Sequence, residues 1–306
     1  MPGNPIDVSC LRNDQTESKR RRFRLLPRSW WGLLARLPLY YLAIVAFMYL
    51  YQDRLLYLPE RSDLQTAIAS GKASGLRMWP SESAEYRGFV AEACPAKPLG
   101  TVLVFHGNAG NAVERDFYAS AFNGLGYRTI LLEYPGYGAR PGKHGEKHLV
   151  SDAQESFEIA LSQFAGPTIV VGESMGCAMA TAVAAHNTSR VGGVLLVTPW
   201  DTLPDLAQSK YWFLPARWLA KDSYDNIRNL RQYPGPVAMA VAESDTIIPK
   251  VRAERLFEGI PNRKKLWMFP NCGHNDWPSG ATEKWWKEAV EFFGLRVQDE
   301  IGGPAP

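Results

Sequence analysis

The sequence of 306 residues has few cysteines, and their spacing does not suggest a shared site. Cys10, Cys94, Cys177 and Cys272 lie far apart, without the CxxC spacing typical of a zinc centre. The sequence therefore predicts neither a structural metal nor a dense disulfide framework. Free thiols are favoured, and a single Cys94–Cys272 bridge is the alternative.

The chain also lacks an excess of one charge beyond its N-terminus. Residues 1–29 contain seven Lys and Arg against three acids, so the rest of the chain carries −1 of the total net charge of +3. A nucleic-acid-binding domain normally concentrates positive charge on its folded part. We therefore expect no nucleic-acid partner, and we predict that residues 1–29 are a basic, disordered, cytoplasmic tail.

Cofactor motifs are missing as well. The glycine-rich run at 136–142 lacks the GxGxxG spacing of a dinucleotide site. The run HGEKH at 144–148 has a glycine next to its first histidine, where a zinc-protease helix needs glutamate. We predict no cofactor and no metal.

One long apolar run is present, from Trp30 to Tyr51, interrupted by Arg36. About 20 such residues suffice to cross a bilayer as a helix, so residues 30–51 are predicted to be a transmembrane anchor and to make the bilayer a partner. The basic cluster before it predicts a single-pass membrane protein with a cytoplasmic N-terminus. The following domain would then be periplasmic or lumenal/extracellular.

Three alternatives for the apolar run remain. A cleaved signal peptide is disfavoured because no small-x-small cleavage site follows. The run Arg20–Phe23 has a weak similarity to a twin-arginine export signal. A helix buried in the core is the third, although the adjoining arginines would be difficult to place there.

After the apolar run, short β-branched runs alternate with amphipathic stretches, the pattern of βαβ units. The predicted strands are Thr101–His106, Arg128–Tyr134, Thr168–Gly172, Gly193–Thr198, Pro236–Ala242 and Lys265–Pro270. This pattern predicts one α/β domain over residues 52–297, with a mostly parallel central sheet and helices on both faces. Residues 298–306 are predicted to be a disordered tail.

A serine stands where one of these strands meets a helix. Ser174 lies in Gly-Glu-Ser-Met-Gly at 172–176, between the strand Thr168–Val171 and an alanine-rich helical stretch. A sharp strand-to-helix turn exposes such a serine, and the flanking glycines leave room for it. We predict that Ser174 is a nucleophile.

A serine hydroxyl needs a base, and the base needs an acid to orient it. His274 follows the last predicted strand and Asp245 follows the one before, which is the order Ser, acid, His of one class of hydrolases. We predict these two residues as base and acid. Asp201 is the rival acid, and Glu243 and Asp276 are weaker alternatives.

Acyl transfer also requires hydrogen-bond donors for the developing oxyanion. Met175 would supply one backbone N–H, and Asn108, in the loop after the first predicted strand, the other. His106, in the same loop, is expected to be a buried structural histidine. The aromatic stretch 210–219 is either a cap over an acyl pocket or a helix packed on the core.

Several of these motifs together resemble the membrane-anchored α/β-hydrolase-domain family. They are HGNAGN at 106–111, EYPGYG at 133–138, GESMG at 172–176, SDTIIP at 244–249 and CGHND at 272–276, with QDRLLYLP at 52–59. The family includes lysophospholipid and monoacylglycerol lipases and protein depalmitoylases. The resemblance implies the α/β-hydrolase fold over residues 52–297, with Ser174, Asp245 and His274 as triad and Asn108 and Met175 as oxyanion donors. Pro135 stands where relatives usually have arginine.

We therefore predict a serine hydrolase that cleaves carboxylic ester or thioester bonds of acyl, lipid-like substrates through an acyl-serine intermediate. Two alternatives belong to other functional classes. One is a serine peptidase on the same fold, and the other is a non-catalytic, membrane-tethered binding protein.

Overall fold

The computed structural model describes residues 32, 35–83 and 85–298. The chain divides into two compact units, Met1–Ala46 and Phe47–Pro306. Of the first unit, the structure describes chiefly the beginning of helix α1, Leu37–Leu56. The predicted disordered tails lie outside the described residues, except for Gln298.

The prediction of a transmembrane anchor over residues 30–51 and of a single-pass membrane location is wrong. No helix among the described residues has both the length and the apolar character needed to cross a bilayer. Four tyrosines reduce the apolar character of α1, and its last turns contain Gln52, Asp53 and Arg54. Four of the 22 residues of the predicted span, 30, 31, 33 and 34, lie outside the described residues.

An eight-stranded sheet forms the centre of the second unit, in the order β2-β3-β6-β4-β7-β8-β9-β10. Its strands are β2 Leu76–Trp79, β3 Gly88–Ala91, β4 Thr101–Phe105, β6 Arg128–Leu132, β7 Thr168–Glu173, β8 Val191–Val197, β9 Val237–Ala242 and β10 Lys264–Phe269. Only β2 and β3 pair antiparallel with their neighbours. The six predicted strands are confirmed in order and type, with ends that shift by one or two residues. Two short strands, β1 Leu58–Pro59 and β5 Ala109–Gly110, form a separate parallel pair.

Helices cover both faces of the sheet, as the βαβ pattern predicted. They are α2 Leu64–Ala73, α3 Asp116–Gly124, α4 Glu146–Gln163, α5 Gly176–His186, α6 Leu203–Lys210, α7 Ala216–Leu219, α8 Asn226–Gln232, α9 Lys250–Gly259 and α10 Glu283–Phe292. One buried cluster joins the sheet to α4, α5, α8 and α9, and another joins it to α2, α3 and α10. Because both faces are covered, β4, β7 and β9 are buried along their whole length.

The described cysteines are not cross-linked. Cys94, Cys177 and Cys272 are free thiols, so the Cys94–Cys272 bridge does not form.

Candidate active site

The turn between β7 and α5 holds Ser174 in a left-handed conformation, with φ 52°. Such a backbone is strained for a residue with a Cβ and persists only where the surroundings impose it. Here the surroundings are crowded: a Cβ on Gly176 would overlap the carbonyl oxygen of Phe105, and one on Gly172 would lie 2.5 Å from the Cα of Cys177. The two glycines of GESMG are therefore required by close packing of the turn against β4 and α5.

Hydrogen bonds to neighbouring strands hold the backbone of the turn. The Ser174 N–H donates to the carbonyl of Val197 at 2.9 Å. The indole Nε1 of Trp200, just beyond the end of β8, donates to the Ser174 carbonyl at 3.1 Å. Trp200 is buried and also lines the cavity beside the serine. Sequence reasoning did not identify this residue, since the sequence contains ten tryptophans and no motif marks this one.

The three predicted triad side chains meet at the carboxyl edge of the sheet. His274 Nε2 lies 3.0 Å from Ser174 Oγ, and His274 Nδ1 lies 2.7 Å from Asp245 Oδ2. The other carboxylate oxygen of Asp245 accepts the N–H groups of Ile247 and Ile248 at 2.8 and 2.7 Å. The histidine and aspartate side chains are 10% and 3% exposed. The carboxylate is therefore held in one orientation, facing the imidazole.

The rival acids have other partners. Asp201 is buried and forms an ion pair with Arg252 at 3.0 Å. Glu243 accepts the N–H of Asn271 at 3.4 Å, and Asp276 accepts that of Gly273 at 2.5 Å. Glu243 and Asp276 thus stabilise the loop that carries the histidine, and Asp245 is the acid whose carboxylate contacts it.

The loop of the predicted oxyanion donor lies beside the serine. Asn108 and Met175 both line the cavity that contains Ser174. The Asn108 side-chain amide donates to the carbonyl of Leu56 at 2.8 Å, so this side chain fixes the loop. Any donation from Asn108 to a substrate would come from its backbone.

His106 is a buried structural histidine, as expected. Its Nδ1 lies 2.8 Å from the Gly107 carbonyl and its Nε2 lies 3.1 Å from Glu133 Oε1. The other oxygen of Glu133 accepts the Ala112 N–H at 3.2 Å. The buried side chain of Glu133 therefore connects the two ends of the loop 106–112 by hydrogen bonds. Glu133 is the first residue of the EYPGYG motif, but the motif alone does not show which groups its side chain contacts.

A second pair of charges, Arg115 and Glu173, connects this loop region to the turn that contains Ser174. Glu173, directly before Ser174, accepts hydrogen bonds from Arg115 Nε at 3.2 Å and from the Tyr118 hydroxyl at 3.0 Å. Burial lowers the pKa of Arg115, but the carboxylates of Glu173 and Glu114 more than offset it, so the net pKa is raised. Burial, reinforced by Glu173, raises the pKa of Tyr118. Both carboxylate oxygens of Glu173, the residue before Ser174, are thus held by hydrogen bonds.

A cavity of about 220 Å³ opens beside Ser174, and its walls are mainly apolar. One wall includes Leu206, Leu214 and Leu219, from the aromatic stretch and the helix before it. Within this stretch Trp212 and Trp218 are 78% and 85% exposed. Residues 210–219 therefore cover a cavity, which agrees with the predicted cap and not with a helix packed on the core. The two tryptophans are not part of the core.

No metal site is evident beside the triad. Within residues 35–83 and 85–298, no group of three or more His, Cys, Asp or Glu side chains could hold a metal ion. The arrangement of a serine, a histidine and a carboxylate can move a proton from the hydroxyl and activate it as a nucleophile.

Residues 100–232 match the family model described as alpha/beta hydrolase fold. An uncharacterised protein of Mycobacterium tuberculosis is 29% identical over 260 residues, 84% of this chain and 90% of that protein. Protein bem46 of Schizosaccharomyces pombe is 29% identical, over 67% of this chain and 70% of that protein. Alpha/beta hydrolase domain-containing protein 17C of Xenopus laevis is 26% identical, over 72% of this chain and 70% of that protein.

Solved structures share the fold. Est1E from Butyrivibrio proteoclasticus, in its ferulic acid complex, has a TM-score of 0.55 and 16% identity, covering 65% of this chain and 93% of that one. An esterase of Pyrococcus furiosus has a TM-score of 0.53 and 16% identity, covering 68% and 84%. With the strand order and the match over residues 100–232, these comparisons show that this chain has the α/β-hydrolase fold.

Proposed function

We propose that this protein is a serine hydrolase that cleaves carboxylic ester or thioester bonds of acyl substrates. The observation that carries the proposal is the continuous hydrogen-bonded chain from Ser174 Oγ through His274 to Asp245, with distances of 3.0 and 2.7 Å. Proton transfer between positioned groups needs contacts of about 2.6–3.2 Å, and both distances lie in that range.

In the proposed first step, His274 Nε2 accepts the hydroxyl proton as Ser174 Oγ attacks the acyl carbonyl carbon. The backbone N–H groups of Asn108 and Met175 stabilise the oxyanion, each contributing about 3 kcal/mol to the lowering of the barrier. The C–O or C–S bond then breaks, and the leaving alcohol or thiol takes the proton from His274. Asp245 remains ionised and holds the imidazole in the required tautomer.

In the second step, a water molecule gives a proton to His274 and attacks the acyl-Ser174 carbonyl. Collapse of this second tetrahedral intermediate releases the carboxylic acid and restores the serine hydroxyl. No group beyond the triad, the two donors and water is needed for the balance of atoms and protons.

The character of the cavity supports an apolar acyl group as the part of the substrate next to the serine. Its lining is dominated by leucine, methionine, tryptophan and tyrosine side chains. Each Å² of apolar acyl surface that is removed from water in such a cavity contributes roughly 25 cal/mol to the free energy of binding.

A fluorophosphonate probe and p-nitrophenyl butyrate test the proposal. The wild type should react with the probe and hydrolyse the ester. Ser174→Ala should not be labelled, and its kcat should fall about 10⁶-fold, because the variant lacks the hydroxyl that lies 3.0 Å from His274 Nε2. Ser162→Ala is the matched control, because this serine lies exposed on α4 and bonds to its own helix. Equal labelling of wild type and Ser174→Ala would contradict the proposal.

The same assay separates the two alternatives. A peptidase would cleave an added peptide substrate, which an esterase or thioesterase would leave intact. A binding protein would neither react with the probe nor turn over either substrate.

A further inference from the structure

The C-terminal half of α1, residues 47–56, forms a wall of the cavity that contains Ser174. Met48, Gln52 and Leu56, spaced four apart and therefore on one side of the helix, are half-buried and line the cavity. Leu50, on another side, is 68% exposed and does not line it. This segment lies outside residues 100–232, the part that matches the hydrolase family model.

The side-chain amide of Gln52 ties this wall to the opposite one. Its Nε2 donates to the carbonyl of Leu219 at 3.1 Å, and its Oε1 accepts the N–H of Lys221 at 2.8 Å. The Lys221 ammonium also lies 3.4 Å from Asp53 Oδ2. The N–H donor and the oxygen acceptor of the Gln52 amide thus both bind the segment 219–221, which is more than 160 residues away in sequence. These bonds fix the distance between the two segments.

The end of the segment is anchored beside the oxyanion loop. Tyr57 is buried, and its hydroxyl donates to Asp222 Oδ2 at 2.6 Å. The N–H of Leu58 donates to the Asn108 carbonyl at 2.9 Å, and the strand that follows pairs with Ala109–Gly110. The segment is thus held at Gln52, one helical turn after Met48, and just beyond its C-terminal end, so the face with Met48 stays at the cavity as long as these bonds persist.

We propose that residues 47–56 are the element that determines which acyl chains this enzyme accepts, with Met48 setting the length of chain that fits and Gln52 fixing the width of the cleft. The inference rests on the proposed function. The acyl chain lies between Met48 on one wall and Leu206 and Leu214 on the other. A side chain at position 48 therefore limits the depth available beyond the scissile carbonyl.

The test is the ratio of kcat/KM for p-nitrophenyl dodecanoate to that for p-nitrophenyl butyrate. Met48→Trp should lower this ratio by about tenfold or more, since a misfit of a few methylenes in an apolar pocket costs that much. Met48→Ala should raise it, because space is opened. Gln52→Met, which removes the hydrogen bonds of the side-chain amide at similar side-chain size, should bring the ratio toward one.

Leu50→Trp is the matched control, with the same new side chain on an exposed side of the same helix, and its ratio should equal that of the wild type. An unchanged ratio in Met48→Trp and Met48→Ala would overturn the inference. If Met48→Trp fails to fold, Met48→Ala and Gln52→Met decide. Failure of the proposed function is distinguishable, because the wild type would then hydrolyse neither ester and would not react with the fluorophosphonate probe.

Discussion

At the scale of single residues, the site contains two aspartates that follow neighbouring strands and have different surroundings. Asp245 follows β9 and contacts the imidazole of His274, while Asp201 follows β8 and contacts the guanidinium of Arg252. Burial raises the pKa of Asp201, an effect that Arg252 partly opposes. The first carboxylate therefore faces the imidazole, and the second faces the guanidinium.

The two asparagine variants should separate these roles. Asp245→Asn should lower kcat by about 10⁴-fold with little change in the free energy of unfolding, because the amide favours the wrong imidazole tautomer. Asp201→Asn should leave most of the activity but lower the free energy of unfolding by about 3 kcal/mol, since the buried charge of Arg252 loses its nearer counterion and keeps only Asp205, 4.0 Å away. Ester hydrolysis and urea denaturation measure the two effects. The opposite pattern would make Asp201 the catalytic acid.

At the scale of elements, the site depends on how closely the turn before α5 approaches β4. A Cβ on Gly176 would overlap the carbonyl of Phe105, which is backbone and has little freedom to move. By contrast, a Cβ on Gly124, at the end of α3, would meet nothing within 4 Å. Glycine is thus required by packing at the start of α5 but not at the end of α3.

Alanine at each position tests this difference. Gly176→Ala should lower the free energy of unfolding by about 3 kcal/mol and displace Ser174, because the turn must move away from β4. Gly124→Ala should raise it by about 0.5 kcal/mol, since alanine restricts the unfolded chain and favours helix. Thermal unfolding measures the change in stability, and the rate of fluorophosphonate labelling measures the displacement of Ser174. Equal stability of the two variants would show that the turn has room to adjust.

At the scale of the whole molecule, many tyrosines are buried in or beside the two clusters that flank the sheet. Burial is the leading cause of a raised pKa in Tyr57, Tyr86, Tyr118, Tyr127, Tyr134, Tyr137, Tyr224 and Tyr233. For Tyr127 the pKa rises to about 12. In an unfolded chain a tyrosine titrates near pH ~10. The folded protein therefore keeps phenol protons that the unfolded chain loses.

Stability should consequently fall at high pH. Because the folded pKa is raised, the stabilisation is fully present below pH ~10 and is lost as the pH rises toward about 12, by up to about 1.4 kcal/mol per pH unit for each tyrosine. Urea denaturation at pH 8, 10 and 11 measures this slope. Tyr127→Phe should reduce the slope by the share of one proton. A stability that does not change between pH 8 and 11 would be inconsistent with this account.

The sequence by itself predicted the order and type of the strands, the turn at Ser174 and the three side chains that lie within hydrogen-bond distance of one another beside it. These follow from local properties: the alternation of apolar runs with helical stretches, the left-handed turn that needs glycines on both sides, and the position of Asp245 and His274 just after strands. In a parallel sheet the carboxyl ends of the strands lie at one edge, so residues at those ends are brought together wherever they occur in the chain.

Only the tertiary structure decided which polar groups pair and where residues 47–56 lie. Arg115 with Glu173, Glu133 with His106 and Gln52 with Leu219 join segments distant in sequence, and no local pattern specifies such partners. The apolar run before residue 52 led to the prediction of a transmembrane helix, because composition shows only that apolar side chains are more stable out of water. Whether they meet lipid or, as with Met48, the wall of an active-site cavity depends on what the rest of the chain places beside them.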